Sequence, residues 1–203
     1  MAEIGLFPLG IVLLPSERVP LHVFEERYKE LIGECIETGS EFGLVYADGN
    51  ELADVGTEAR IARVLTRFSD GRLNVLVEGA SRFRLEELTA GRSFQTGIVS
   101  PLEDEGEFAS QESIDRALSG FERLREITGS EVEAPSADEP QLSFALAGRV
   151  ELPVDGKLGL LRDVSERSRI DRVCELFEAA IVGAERVRLA AERATRNGRV
   201  ELG

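Results

Sequence analysis

The chain opens with an apolar run set between prolines, Phe7-Pro8-Leu9-Gly10-Ile11-Val12-Leu13-Leu14-Pro15. A further proline, Pro20, then leads through Leu21-His22-Val23 into Phe24-Glu25-Glu26-Arg27-Tyr28. Proline has no N–H to give to a ladder, so strands here are confined to sheet edges and strand ends. The stretch reads as strand, kink, short strand, helix, with strands expected over residues 4–9 and 11–14. Phe24, Tyr28, Leu31, Ile32, Cys35 and Ile36 recur at helical spacing and predict an amphipathic helix over 24–37. Gly39 is its natural stop.

The next sixty residues are β-rich. Apolar runs at 42–47, 60–68, 72–78, 81–88 and 94–100 read as strands, and Ser69-Asp70-Gly71 between two of them is a hairpin signal. Short strands, close turns and one inserted helix predict a small, strongly bent sheet or barrel. After Pro101 and an acidic connector, 103–107, the period becomes helical. One helix is expected from Ser110 to Gly129, carrying Ile114, Ala117, Leu118, Phe121, Leu124 and Ile127 on one face. A polar loop, expected to be mobile, covers 129–140. Short helices follow near 141–150 and 157–162. A long helix begins at Ser165 or Ser168, with Ile170, Val173, Leu176, Phe177, Ala180 and Ile181 as its stripe and a weaker tail that fades at Asn197-Gly198. The composition shift divides the chain into 1–104 and 105–203.

The formal net charge is −14, with acidic residues in excess in both halves. Such a chain is repelled by phosphate backbones and anionic membranes, so neither nucleic acid nor a membrane is an expected partner. No purely apolar run is longer than that of Ile11–Leu14, and the N-terminus lacks the basic start of a signal peptide. The expected location is the cytoplasm. Cys35 and Cys174 both fall on apolar helix faces and read as buried thiols. One histidine and two distant cysteines cannot assemble a zinc site, so no metal and no cofactor is expected.

Four motifs, in order, carry a resemblance. They are the Phe7-Pro8-Leu9-Gly10, Pro15, Pro20-Leu21-His22, Phe24-Glu25 and Arg27-Tyr28 series; Glu41-Phe42-Gly43-Leu44-Val45; Val55-Gly56-Thr57-Glu58-Ala59-Arg60-Ile61; and Asp70-Gly71-Arg72 through Val77-Glu78-Gly79-Ala80-Ser81-Arg82-Phe83-Arg84. Together they resemble the N-terminal domain of Lon protease, the substrate-recruiting part of that ATP-dependent enzyme. The helical half matches more loosely, over 142–161. The resemblance implies an α+β fold, a PUA-like small β-barrel with one inserted helix followed by a C-terminal helical bundle. It also implies a role in binding protein substrates rather than cutting them. The family's ATPase and Ser/Lys peptidase modules lie downstream of this domain. No G-x-x-x-x-G-K-[ST] loop occurs here, since Gly156-Lys157 runs on into Leu158. No catalytic activity is expected.

Pro20, Leu21, Phe24, Glu25, Arg27, Tyr28, Gly56, Gly79 and Arg82 are the motif positions with expected structural roles. Charges rarely go inside unpaired. Glu25 or Arg27 is therefore expected either to pair with the Arg82 strand and lock the first helix on the barrel, or to stand in solvent. Leu13, Leu14, Pro15 and Arg18 are the candidate substrate-binding tip. Strand alternation would turn one leucine outward as an exposed apolar anchor; the alternative is that both are core. The weak end of the last helix either projects to meet a partner or a second copy, or is a solvated tail. The leading reading is a non-catalytic module for unfolded or exposed apolar polypeptide segments, working with a protease or as an adaptor. The alternative is a PUA-like sensor of RNA or a small ligand. A peptidase acting without ATP would need His22 as its base.

Overall fold

The computed structural model describes residues 1–49 and 51–197. Six strands form one mixed sheet: β1 (Ala2–Leu9), β2 (Arg18–Val23), β3 (Phe42–Asp48), β4 (Glu51–Arg67), β5 (Leu73–Thr89) and β6 (Thr96–Pro101). Five helices join them: α1 (Glu26–Thr38), α2 (Gln111–Thr128), α3 (Leu142–Ala147), α4 (Val154–Arg162) and α5 (Glu166–Asn197). The sheet order is β2-β5-β4-β3-β1-β6, and β6 also pairs with β5. β1 and β3 run parallel, joined through β2 and α1; the remaining pairs are antiparallel.

Two of the expected strands merge. Residues 72–78 and 81–88 form the single strand β5, because Glu78 and Gly79 keep their cross-strand partners Arg60 and Ala59. Register shifts between Thr57 and Ala59, Ile61 and Arg63, and Val64 and Thr66 bend the long β4–β5 hairpin. That bending lets β5 pair with β2 through its first half and with β6 through its second. The strand expected at 11–14 does not form. That segment crosses the interior as irregular chain, and the second strand begins at Arg18.

α1 starts at Glu26, so Phe24 lies ahead of the helix rather than on its stripe. Its buried face is Tyr28, Leu31, Ile32 and Cys35, and Gly39 ends it at φ 71° with its N–H on the Cys35 carbonyl. This face packs with Phe7, Phe42, Leu44, Val75 and Val77 as one core cluster. A second cluster joins Val12, Leu14, Val45 and Val55 to Phe121, Phe144, Leu160, Ile170, Val173 and Phe177. β3 feeds both, since Leu44 and Val45 point to opposite faces as strand alternation requires.

Ser110 caps α2, its side chain accepting from the Ser113 N–H, and Gly129 closes the helix at φ 67°. α2 lies along α5, with Arg116 on Asp171 at 3.0 Å, Phe121 against Phe177, and Arg123 on Glu185 at 3.0 Å. α3 is buried over its whole length. The apolar contacts of α5 thin past Ile181, and Val182, Val187 and Leu189 are exposed. Gly198, where the helical signal was expected to fade, lies outside the described residues. None of the described helices is long and apolar enough to cross a membrane.

Candidate functional site

Of the two readings open for the 13–18 segment, one leucine turned outward or both in the core, the second holds: Leu13 is 1% and Leu14 0% accessible, and Pro15 is buried. Alternation does operate, but both sides are covered. Leu13 enters the α1-side core and Leu14 the helical-side core. Thr57 Oγ1 donates to the Leu13 carbonyl at 2.6 Å, and the Leu14 N–H donates to Glu17 Oε2 at 2.9 Å. Ser16 turns the chain at φ 63° and donates to the Gly79 carbonyl, while the Gly79 N–H returns to the Glu17 carbonyl. A Cβ on Gly79 would lie 2.2 Å from the Leu14 oxygen, so only glycine fits this crossing. Gly56 is equally closed, with Phe83 Cζ 2.4 Å from where a Cβ would stand.

Arg18 alone of the tip residues is exposed, and its Nε donates to Glu78 Oε2 at 2.6 Å. Arg60 holds the other oxygen of the same carboxylate. Burial pulls the Glu78 carboxyl upward, but these two guanidiniums outweigh it and hold the group below its ordinary range. Ser16, Glu17 and Arg18 face Ala145, Gly148 and Arg149 across a cleft of about 560 Å³ where the sheet meets the helices. Glu17, itself buried, is neutralised by Lys157 Nζ.

Arg82 does not meet Glu25. Glu25 is bonded to Arg27 Nε at 2.9 Å, in solvent, and Arg27 covers the Tyr28 ring. Arg82 is 3% exposed and points the other way, toward the helices. Its Nη1 donates to the carbonyls of Leu161 at 2.8 Å and Asp163 at 2.7 Å, and its Nη2 to Asp104. Arg169, fully buried, grips Asp104 with both terminal nitrogens at 2.7 and 2.6 Å. It also donates to Glu166 at 2.6 Å and, through Nε, to Ser143 Oγ at 3.0 Å. Both guanidiniums lie over the Phe144 ring. Two cations thus share two carboxylates, and no charge in the cluster is left alone. Burial raises the Asp104 carboxyl, but the hydrogen bond and charge of Arg169 outweigh that and hold it below the usual range. Burial, then the nearby Arg169 charge, pull Arg82 downward. The physical rule that a buried arginine needs partners was right; the partner came from the connector, not from α1.

Sequence reasoning missed an exposed aromatic group. Phe24 is 59% and Phe68 37% exposed. His22 lies between them, stacked on Phe24 with ring centroids 5.9 Å apart and edge-on to Phe68 at 6.1 Å. Its Nδ1 is 2.6 Å from Asn74 Oδ1, the side chain directly across the ladder. The Arg72 guanidinium lies over the Phe68 ring. The signal was present: Phe68 immediately precedes the Ser69-Asp70-Gly71 turn, and a hairpin tip has nothing above it. Pro20 and Leu21 lie on the same strand as His22. Pro20 is exposed on the sheet's terminal strand, where its missing N–H costs little, and Leu21 turns into the core. Among the described contacts of His22 there is no hydroxyl or thiol that it could activate.

Known proteins place this geometry in a family. The model of the "ATP-dependent protease La (LON) substrate-binding domain" matches residues 3–179. Lon protease of Brucella suis biovar 1 is 26% identical over 194 residues, 87% of this chain but 24% of that protein. Lon protease of Porphyromonas gingivalis is 35% identical over 103 residues, covering 47% of this chain and 12% of its own. The chain therefore spans a quarter or less of the length of these relatives. A crystal structure of a Lon N-terminal domain protein from Xanthomonas campestris superposes with TM-score 0.69 at 29% identity, covering 85% of this chain and 97% of that one. The N-terminal domain of Mycobacterium avium complex Lon protease shares the fold, with TM-score 0.64 at 17% identity over 87% of this chain and 98% of its own. The chain belongs to the Lon substrate-binding domain family.

Proposed function

We propose that this chain is a non-catalytic module that binds unfolded or exposed apolar polypeptide segments, and that His22, Phe24 and Phe68 form its binding surface. The observation that carries the reading is the pair of solvent-facing phenylalanines on either side of His22 in a member of a substrate-binding family. Aromatic rings set just beyond two strand ends offer apolar area at little entropic cost, and apolar client segments would bury them. Arg72, over the Phe68 ring, would add cation–π and carboxylate contacts at the rim.

The ring of strand pairings supports reading 1–104 as a small PUA-like barrel with α1 inserted, and 105–203 as a helical bundle docked on it. In this reading Leu13, Leu14 and Pro15 do not touch a client. They hold the corner that presents Arg18 beside the junction cleft. The module would serve a protease in the cytoplasm, or act as an adaptor, and would neither hydrolyse ATP nor cut peptides.

The test is a titration of the protein into a fluorescently labelled, permanently unfolded polypeptide, followed by anisotropy. Saturable binding is expected, weakened about tenfold in the Phe24→Ser, Phe68→Ser double variant with the circular dichroism unchanged. No binding by the parent chain, or equal binding by the variant, overturns the assignment.

A further inference from the structure

A second surface lies on the helical side, where the acidic connector meets the end of the polar loop. Residues 104–109 and 137–142, with Ile114 of α2, line a groove of about 380 Å³. Ala109, Ile114 and Leu142 give it an apolar lining continuous with the helical-side core. Phe108 lines it too and is 89% exposed, so one large ring has no cover. The two sides are held in place. The Glu105 N–H donates to the Val164 carbonyl at 2.9 Å, and Gln141 Nε2 donates to Asp104 Oδ2 at 3.2 Å. Gln141 thereby fastens the loop side to the carboxylate that Arg82 and Arg169 hold in the connector.

Every charged residue lining the groove is an acid. Asp104 and Glu166 are neutralised by Arg82 and Arg169. Glu105, Glu107, Asp138 and Glu139 are exposed and have no ion pair among the described residues. Glu107 accepts a hydrogen bond from Ser165 Oγ at 2.9 Å, and Arg167 shares the adjoining cleft with Glu107 without pairing with it. Asp54 and Asp70, equally exposed, each hold an arginine instead. Unpaired carboxylates beside an apolar surface focus a negative potential on it. They do not converge on one point: among the described residues no group of three acidic, histidine or cysteine side chains could hold a metal ion. A compact divalent ion has no cage here, whereas cations spaced along a chain can meet the acids separately.

We propose that this groove binds a basic-apolar polypeptide segment. An aromatic or large aliphatic side chain would lie against Phe108, Ile114 and Leu142, with a lysine or arginine on each flank facing the carboxylates of the connector and the loop. The inference rests on the polypeptide-binding reading above and names, for a second site, the class of segment it takes. Each half of the ligand answers one half of the groove. The apolar side chain covers the uncovered ring, and the flanking cations relieve the repulsion among four unpaired acids. A phosphate backbone or an anionic membrane would meet that repulsion instead. An acidic segment would meet it too, so the groove selects among apolar segments by the charge on their flanks.

The probe is a short rhodamine-labelled Gly/Ser peptide with a central Lys-Phe-Lys, blocked at both ends and titrated against the full chain. It should bind about tenfold more tightly than the same peptide carrying Lys-Ser-Lys or Glu-Phe-Glu. Phe108→Ser should erase the preference for phenylalanine over serine. Glu105→Gln combined with Glu139→Gln should weaken the Lys-Phe-Lys complex about fivefold. Both variants should leave thermal unfolding unchanged, because all three side chains are exposed. The Phe24→Ser, Phe68→Ser variant should bind the peptide as the parent does. Absence of binding, equal binding of the Lys-Phe-Lys and Lys-Ser-Lys peptides, or a preference that survives Phe108→Ser would overturn the inference. So would displacement by equimolar spermine, because the groove would then be taking any polycation. A dimer in sedimentation velocity that Phe108→Ser dissolves would assign the groove to a second copy and equally overturn it. An unfolded polypeptide still captured through Phe24 and Phe68 in those cases would leave the broader reading standing. Conversely, phenylalanine-selective binding of the basic peptide, with no binding of an unfolded polypeptide lacking lysine and arginine, would preserve this site and remove the broader reading.

Discussion

Replacing Arg82 by methionine should cost about 3 kcal/mol of folding stability. The magnitude follows from what each partner of Arg82 has left. The Leu161 carbonyl would lose its donor outright. Its partner in a longer helix, the Ser165 N–H, is already committed to Asp163 Oδ1 at 2.9 Å. Orphaning one buried carbonyl costs about 1–3 kcal/mol. The Asp163 carbonyl would keep Arg169 Nη1 at 2.8 Å, and Asp104 would keep its two-point grip from Arg169. The loss of Arg82 therefore stays at the lower end of the roughly 3–5 kcal/mol seen when a buried pair is broken. Methionine returns most of the apolar volume against Phe144, which limits any cavity term. For a chain of this length about 3 kcal/mol corresponds to a thermal midpoint lower by roughly 6–12 °C. Urea unfolding followed by circular dichroism measures the quantity directly. Arg82→Lys should recover little, because an ammonium cannot span two carbonyls and a carboxylate as a planar fork does. Arg27→Ala, which removes an exposed pair with Glu25, should cost under about 0.5 kcal/mol. A loss below about 1 kcal/mol for Arg82→Met would refute the argument that this cluster fastens the helices to the sheet.

Two further outcomes follow from the same geometry. Asp104 is held below its ordinary range, so its stabilising contribution is complete above its unfolded value of about 3.9 and is lost as the pH falls through the lower folded value. The stability gap between the parent and Asp104→Asn should accordingly be widest near neutrality and narrow below about pH 4; a gap that widens in acid would contradict the assignment. Gly79→Ala should destabilise by roughly 2–4 kcal/mol, read by thermal unfolding, because its Cβ would press on the Leu14 backbone oxygen rather than on a side chain that can swing away.

The parts of this fold legible in the sequence are those governed by local rules. The Ser110 cap and the Gly39 and Gly129 stops mark α1 and α2 because a left-handed terminal residue is a property of a few adjacent positions. The stripe of Ile170, Val173 and Phe177 marks α5 because one face of that helix is buried from end to end of its packed half. Failures occur where tertiary context decides. Residues 11–14 have the apolar content of a strand, yet they run through the middle of the molecule, where two cores compete for adjacent leucines. Their backbone groups are satisfied by Thr57 and Glu17 instead of a ladder. Nothing in a local window distinguishes that from a strand.

The same reasoning explains why the exposed and ionic features were misplaced. A pattern of apolar residues at helical spacing counts Phe24 with Tyr28 and Leu31, but the helix begins only at Glu26, so the phase argument does not apply to Phe24. Only the helix start separates a core residue from one exposed over more than half its surface. For Arg82, burial demands partners without naming them, since Asp104 lies in an acidic connector beside Glu103 and Glu105, which carry the same charge. What singles out Asp104 is the position of Arg169 on α5, sixty-five residues later. The aromatic surface argued for binding has this origin. His22, Phe24 and Phe68 meet because a cross-strand register sets a strand end beside a hairpin tip. Sites assembled across elements leave single residues that look unremarkable in order along the chain. They become informative only when an exposed ring shows that the fold has left a group for something else to cover.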